Sequence, residues 1–380
     1  MVSSTTVAPP ATRGLAVAVL GTLLIASTYG MARFGVGLFA PRLGAERPDL
    51  APVAGWAAAA QFVAYALAAA VASRTSDRWP RTGVAIAGAT AGLGCLGVAT
   101  TSSAAWFVVL VFVGGTGAGL ASPALVRLVD AVVGPSRAAT AQSLVNTGTA
   151  VGVVVAGLLA LTTPSIAAAW WAMAAVNAGA SLGLVLLVRR VEPGTTTATE
   201  TSYDPRALAG PALAALVVGA GSALIWSYGP LLATGTGAVG DDRVGLLWIA
   251  LGIGGLLGPL TGRLVERRGI GGAWAVSVGA VVTANLLLGL GLTLGPAWST
   301  YVAMACFGAG YMCLSGVLIL AARRAWPDGA GRGTSLLFIA LAVGQAAGAV
   351  GFDALQAAEP VISVVLAAAV CAAGLRLRPR

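Results

Sequence analysis

Two stretches, Ser73-Arg74-Thr75-Ser76-Asp77-Arg78-Trp79-Pro80-Arg81 and Gly262-Arg263-Leu264-Val265-Glu266-Arg267-Arg268-Gly269, decide how this chain is read. Each is a short charged hinge between two apolar runs. In both, a small residue stands four positions before an acid, and an Arg follows the acid directly. Asp77 and Glu266 lie 189 positions apart, almost half of the 380-residue chain. Other anchors repeat at nearly the same offset: Pro41 pairs with Pro230, and Gly55 with Gly245. Self-similarity at half length in a very hydrophobic chain predicts two repeated membrane halves.

Composition excludes most other classes. Hydrophobic residues make up 58% and charged residues 9%, and mean hydropathy is +0.89. An ordinary soluble domain carries roughly 25% charge, so this chain lacks the polar residues to cover a soluble surface. There is no His, which removes the commonest general base and the commonest zinc ligand. Cys95, Cys306, Cys313 and Cys371 fall in apolar runs and read as packing residues, with no disulfide, metal site or cofactor expected. No nucleophile–base pair is present to support an enzyme.

Twelve apolar runs reach the roughly 20 residues that a helix needs to span a bilayer. They fall at 14–41, 52–73, 83–102, 105–127, 138–161 and 167–188, then at 208–232, 243–263, 272–293, 297–320, 333–353 and 361–376. The runs lack period-2 alternation, so the spans are helices and the fold is an all-α membrane protein. The long polar break at 189–207, rich in Thr, Pro and Gly, reads as a linker between six-helix bundles at 14–188 and 208–380, after a tail at 1–13. With the N-terminus inside, 18 of the 22 basic residues, all Arg, fall in cytoplasmic segments. Arg42, Arg47 and Arg243 fall outside, and Arg33 lies within the first helix. That asymmetry predicts cytoplasmic termini and a cytoplasmic linker. The net charge of +9 then follows from topology, and nucleic-acid binding is not needed to explain it.

Six plus six helices, with a Gly-x-x-x-Asp-Arg-x-Gly-Arg-like loop after helix 2 and again after helix 8, resemble the major facilitator superfamily. The first helix, Tyr29-Gly30-Met31-Ala32-Arg33-Phe34-Gly35-Val36-Gly37-Leu38-Phe39-Ala40-Pro41, is similar to a branch of small, mostly uncharacterised bacterial members. The resemblance implies a secondary transporter that works by alternating access. It also implies a gating role for Asp77, Arg78, Arg81, Glu266 and Arg267, which would latch helix ends in the outward-facing state. Copy one departs from the pattern at Ser73 and Pro80. No charge occurs between Val108 and Gly114 and no Pro between Gly148 and Gly157, which weakens a drug/proton antiport assignment.

Glycine clusters such as Gly114 to Gly119 lie inside spans with no preceding strand, so they cannot cradle phosphate. Gly148/Gly152, Gly254/Gly258 and Gly258/Gly262 are expected to pack helices instead. Trp56, Trp106, Trp170, Trp171 and Trp298 lie near helix ends and read as an interfacial belt.

Polar and aromatic residues at membrane depth are the candidate substrate site: Tyr29, Arg33, Gln61, Tyr65, Asn146, Trp226, Tyr228, Tyr311 and Gln345. Family architecture turns helices 1, 4, 7 and 10 inward, which favours Tyr29, Arg33, Trp226 and Tyr311. Arg33 costs on the order of 3 kcal/mol to insert, so a wet cavity, an acid partner such as Asp353, Glu46 or Asp49, or snorkelling to the interface must repay it. Its fork suits a carboxylate. No acid occurs near the middle of any span, so proton coupling would fall to a helix-end acid, with Asp353 the candidate; the alternative is uncoupled or substrate-exchange transport. The expected partners are a small-molecule substrate, the bilayer and protons, with the chain acting as a monomer. Passage of an organic anion competes with efflux of hydrophobic or drug-like compounds. A non-transporting sensor would need an output domain that the loops do not supply.

Overall fold

A computed structural model describes residues 11–76, 78–133, 135–189, 204 and 206–377. The expected linker at 189–207 falls largely outside them, and so does Asp77. The chain is built from α1 (Ala11–Ile25), a π-helical segment (Ala26–Arg33), α2 (Gly35–Glu46), α3 (Ala54–Thr75), α4 (Pro80–Thr100), α5 (Ala104–Val133), α6 (Pro135–Thr162) and α7 (Ile166–Leu187). The second part holds α8 (Arg206–Gly235), α9 (Val244–Gly255), α10 (Thr261–Leu294), α11 (Ala297–Ala325), α12 (Ala330–Ala358) and α13 (Pro360–Ala373).

Among the described residues, ten stretches are long and apolar enough to cross a bilayer. One of them, Asp241–Leu294, is 54 residues long and turns at Gly269, whose φ of +69° suits glycine. It supplies two crossings, and the 14-residue α13 supplies the last, giving the twelve-helix fold. The eighth expected span is not one helix: α9 stops at Gly255, and a short 3-10 turn at Gly258–Leu260 leads into α10. Twelve crossings put the start of α1 and the end of α13 on one side of the bilayer, here the near side; the opposite side is the far side.

On the far side a hydrogen-bonded clamp ties four helix ends of the first half together. Arg47 donates to the carbonyls of Val98, Ala99 and Thr101 at the end of α4, the shortest at 2.6 Å. Arg42 donates to the carbonyls of Ala160 (3.2 Å) and Thr163 (3.5 Å) at the end of α6 and pairs with Glu46 at 2.6 Å. The other oxygen of Glu46 accepts the Ile166 N–H at the start of α7, at 2.8 Å. Each contact satisfies a backbone group that a helix end leaves free. The two far-side arginines that break the charge asymmetry in this half are therefore helix caps.

The halves are closed against each other on the far side. Gly37 of α2 lies so near the Trp226 carbonyl of α8 that a Cβ would overlap it, and Gly157 of α6 meets the Gly245 carbonyl of α9 in the same way. On α6, Gly148 and Gly152 lie against the Thr22 and Ala26 carbonyls of the first helix, while Ala150, Val154 and Leu161 face α9. Gln142 and Asn146 fall on the arc between those two directions, toward the middle of the protein. Asn146 is nevertheless exposed, so the near side of the seam is open there.

Two expectations fail. Gly262 has no heavy atom within 4 Å of where its Cβ would be, so the packing pair Gly258/Gly262 does not exist; the helix has already broken before it. Trp170 is 3% exposed, with its ring against Gly35 and 6.1 Å from that of Phe39. It is a core residue of the first half, whereas Trp56, Trp106, Trp171 and Trp298 are more than half exposed, as belt residues should be.

Candidate functional site

The site begins with a local distortion of the first helix. Ser27 and Thr28 both donate their hydroxyls to the Leu24 carbonyl, at 3.1 and 2.7 Å. Side-chain donors to a preceding carbonyl compete with the helical ladder, and the segment from Ala26 to Arg33 is π-helical. Such turns are rare and are frequently found at functional sites. Arg33 is its last residue, and Phe34 ends it with φ −109° and ψ 4°.

Arg33 is 4% exposed and lies at the seam between the halves. Its guanidinium carbon stands 3.8 Å from the centre of the Tyr65 ring, 5.1 Å from Phe34, 5.5 Å from Phe62 and 5.6 Å from Tyr29. Cation–π attraction to several rings, about 0.5–2 kcal/mol for each favourable one, stabilises a charge that has left water. Across the seam, Arg33 Nη2 donates to Gln345 Oε1 at 3.1 Å. Gln345 Nε2 in turn donates to the Tyr311 hydroxyl at 3.0 Å. Arg33 Nε has no partner.

Neither alternative for Arg33 is realised: it does not snorkel, and among the described residues no acid pairs with it. Glu46 is engaged by Arg42 and Ile166. The Tyr228 hydroxyl, which has one proton to give, lies 2.6 Å from the Ala349 carbonyl and 3.1 Å from Asp353 Oδ1, so Asp353 is engaged there. Among the described residues Asp49 forms no ion pair. The guanidinium is held by rings and one neutral amide.

An aromatic stack roofs the site. Phe34 and Trp226 lie face to face, with centres 3.7 Å apart and planes 11° from parallel. Around Trp226, the rings of Tyr311 (5.2 Å), Phe307 (5.3 Å) and Trp248 (5.9 Å) stand edge-on. Trp226 Nε1 has no hydrogen-bond partner. On the near side, the Tyr29 ring meets Tyr65 edge-on at 5.7 Å and is half-buried, forming the boundary with the opening.

Of the residues singled out in the sequence, Tyr29, Arg33, Tyr65, Trp226, Tyr311 and Gln345 come together. Gln61, 1% exposed with an unpartnered Oε1, sits one turn from Tyr65 on the same helix. Asn146 accepts from Gln142 at 3.1 Å and lies out in the opening. Tyr228 is separate, on the far side with Asp353, whose carboxylate occupies the space that Gly55 leaves. Phe34, Phe62 and Phe307 were not anticipated, because a phenylalanine in an apolar span carries no signal that separates a cavity wall from lipid-facing surface. Of the expected gating set, Arg78 lies over the Trp79 ring at 5.0 Å, and Arg81 donates to the Arg189 carbonyl. Glu266 and Arg267 are exposed, with no ion pair among the described residues.

The sequence pattern of the Major Facilitator Superfamily matches residues 18–349. No curated protein sequence matches the chain. Solved structures similar in fold include the nucleoside transporter NupG, with TM-score 0.73, 11% identity and coverage of 96% of this chain and 98% of that one. The D-xylose-proton symporter gives a TM-score of 0.74 at 16% identity, covering 96% of each chain. The human organic anion transporter MFSD10 (TETRAN) gives 0.67 at 19% identity, covering 97% and 99%. At these identities the likeness is one of fold.

Proposed function

The chain belongs to the major facilitator superfamily, as a multi-pass secondary transporter of a small solute, and we propose that this solute is an organic anion held by Arg33. The observation that carries the proposal is a buried guanidinium at the seam with one amide partner and, among the described residues, no carboxylate. A charge left so incompletely paired is costly, and an incoming anion would complete it. Reconstituted into vesicles, the protein should take up labelled organic acids and ignore permanently cationic drugs of similar size. Preferential movement of the cations would favour the second reading, efflux of hydrophobic compounds, which the aromatic walls support.

The bundles at 14–188 and 208–380 are the units that rock, and a monomer suffices because the path runs between halves of one chain. The arginine distribution supports placing the near side in the cytoplasm of a bacterial cell, so this state is inward-facing.

Asp77, Arg78, Arg81, Glu266 and Arg267 then form the latch of the opposite, outward-facing state. Glu266 having no ion pair among the described residues is consistent with that role, since a latch contact exists in one conformation only. The Asp77→Asn, Glu266→Gln double variant should insert normally yet shift toward the inward-facing state, read as faster labelling of a cysteine at Asn146 from the cytoplasmic side. Unchanged labelling and unchanged uptake would leave these acids as mere neutralisers of topogenic arginines.

Proton coupling is assigned to Asp353, which touches both halves through Tyr228 and Gly55 only while the far side is closed. Asp353→Asn should abolish accumulation driven by a pH gradient while preserving exchange of labelled for unlabelled solute. Intact accumulation would show that Asp353 does not carry the proton.

A further inference from the structure

We propose that the solute is a planar aromatic monocarboxylate, whose two oxygens displace the Gln345 amide from one edge of Arg33. The inference rests on the reading of Arg33 as the anion anchor and specifies what that anchor accepts.

Nη2 and Nε lie along the same edge of the guanidinium plane, the edge to which a carboxylate binds with two parallel hydrogen bonds. Gln345 Oε1 covers Nη2 at 3.1 Å and leaves Nε bare. One amide oxygen fills half of that edge; a carboxylate fills it completely and brings the opposite charge. The amide is therefore a placeholder with the weaker claim. Its release would also break a hydrogen bond between the halves, so occupancy would act directly on the seam.

The rest of the molecule that follows the carboxylate meets rings. Tyr65 covers one face of the guanidinium, Tyr29 guards the near entrance, and the Phe34–Trp226 stack forms the roof. Flat conjugated bodies suit such walls through offset and edge-on contacts, which a puckered saturated ring makes less well. The charge count narrows the class further. Among the described residues Arg33 is the one cation set against these rings, so a second carboxylate would have no counter-charge. No acid among the described residues pairs with it, so the ammonium group of a zwitterion would face Arg33 without compensation. Sugars and nucleosides need many polar contacts, which Phe34, Phe62 and Phe307 do not offer.

Titration calorimetry on the purified full-length protein, with benzoate, cyclohexanecarboxylate, phthalate and phenylalanine as probes, tests the inference. Benzoate should bind about 3- to 10-fold more tightly than cyclohexanecarboxylate, the worth of one aromatic contact. Phthalate and phenylalanine should bind at least about 10-fold more weakly than benzoate, since each buries an unpaired charge. Gln345→Glu would set a permanent carboxylate on Arg33 and should abolish benzoate binding. Thermal unfolding of the same Gln345→Glu preparation, expected to be at least as stable as the unaltered protein, guards against a variant that merely misfolds. Equal affinity for benzoate and cyclohexanecarboxylate, or unimpaired benzoate binding by a folded Gln345→Glu protein, overturns this inference. The organic-anion reading survives that outcome if binding is still lost in Arg33→Gln. If no organic acid binds at all, both fail.

Discussion

Replacing Arg33 with Gln should weaken binding of organic acids by about 30-fold to several-thousand-fold, the 2–5 kcal/mol that removal of one member of a buried charge pair costs. Folding stability should hold or improve. In the empty protein the guanidinium is buried against four rings and one amide, so neutralising it removes a desolvated charge that nothing fully repays. Arg33→Lys should fall between, losing about tenfold, because an ammonium keeps the charge but cannot present a planar edge or lie flat over Tyr65. Calorimetry with a panel of acids, beside thermal unfolding of the same preparations, separates the two roles. Lower stability with unchanged affinity would make Arg33 part of the scaffold, and the anion assignment would fall with it.

Arg33 was legible because a charge inside an apolar span is expensive and has to be explained. Gln345 was legible as a polar residue at membrane depth. Their meeting across the seam was not, since 312 positions separate them and no spacing rule links the helices of two halves. Phe34 and Phe62 were hidden for the opposite reason: an aromatic residue is at home in lipid, in the core or beside a cation, and hydropathy treats all three alike. The same ambiguity placed Trp170 in the interfacial belt, when Gly35 in fact opens a slot for its ring. The repeat predicted twelve crossings, but the break between α9 and α10 depends on Gly255 to Pro259, where small residues and a proline loosen an otherwise uniform apolar run. Position along a helix was readable; direction around it, in a chain apolar on nearly every side, was much less so.

Gly37→Val should hold the far side open. A Cβ at this position would overlap the Trp226 carbonyl, so α2 and α8 could no longer meet, and the Phe34–Trp226 stack one turn away would part with them. An overpacking penalty of about 3 kcal/mol, borne by the closed state alone, changes the ratio of the two states by roughly 150-fold. Because the open state has room for the added methyl groups, the protein should still insert and remain folded. A cysteine at Ser227, 2% exposed when closed, can report on this in a background lacking the four native cysteines. Its labelling from the far side should accelerate strongly while net transport stops. Slow labelling with normal transport would show that the halves close elsewhere.

The far-side clamp of Arg42, Glu46 and Arg47 also sets an order in time. Its last partner is the N–H of Ile166, so every group it needs has been synthesised before the sixth helix is complete. A chain emerging from its amino end can close this clamp while the second half is still unmade, and domains generally assemble as units in that order. The contact between Arg33 and Gln345 has no such head start, because Gln345 lies near the end of the chain. Biogenesis thus delivers one finished bundle to await the other, and the seam used in transport is the last surface to form.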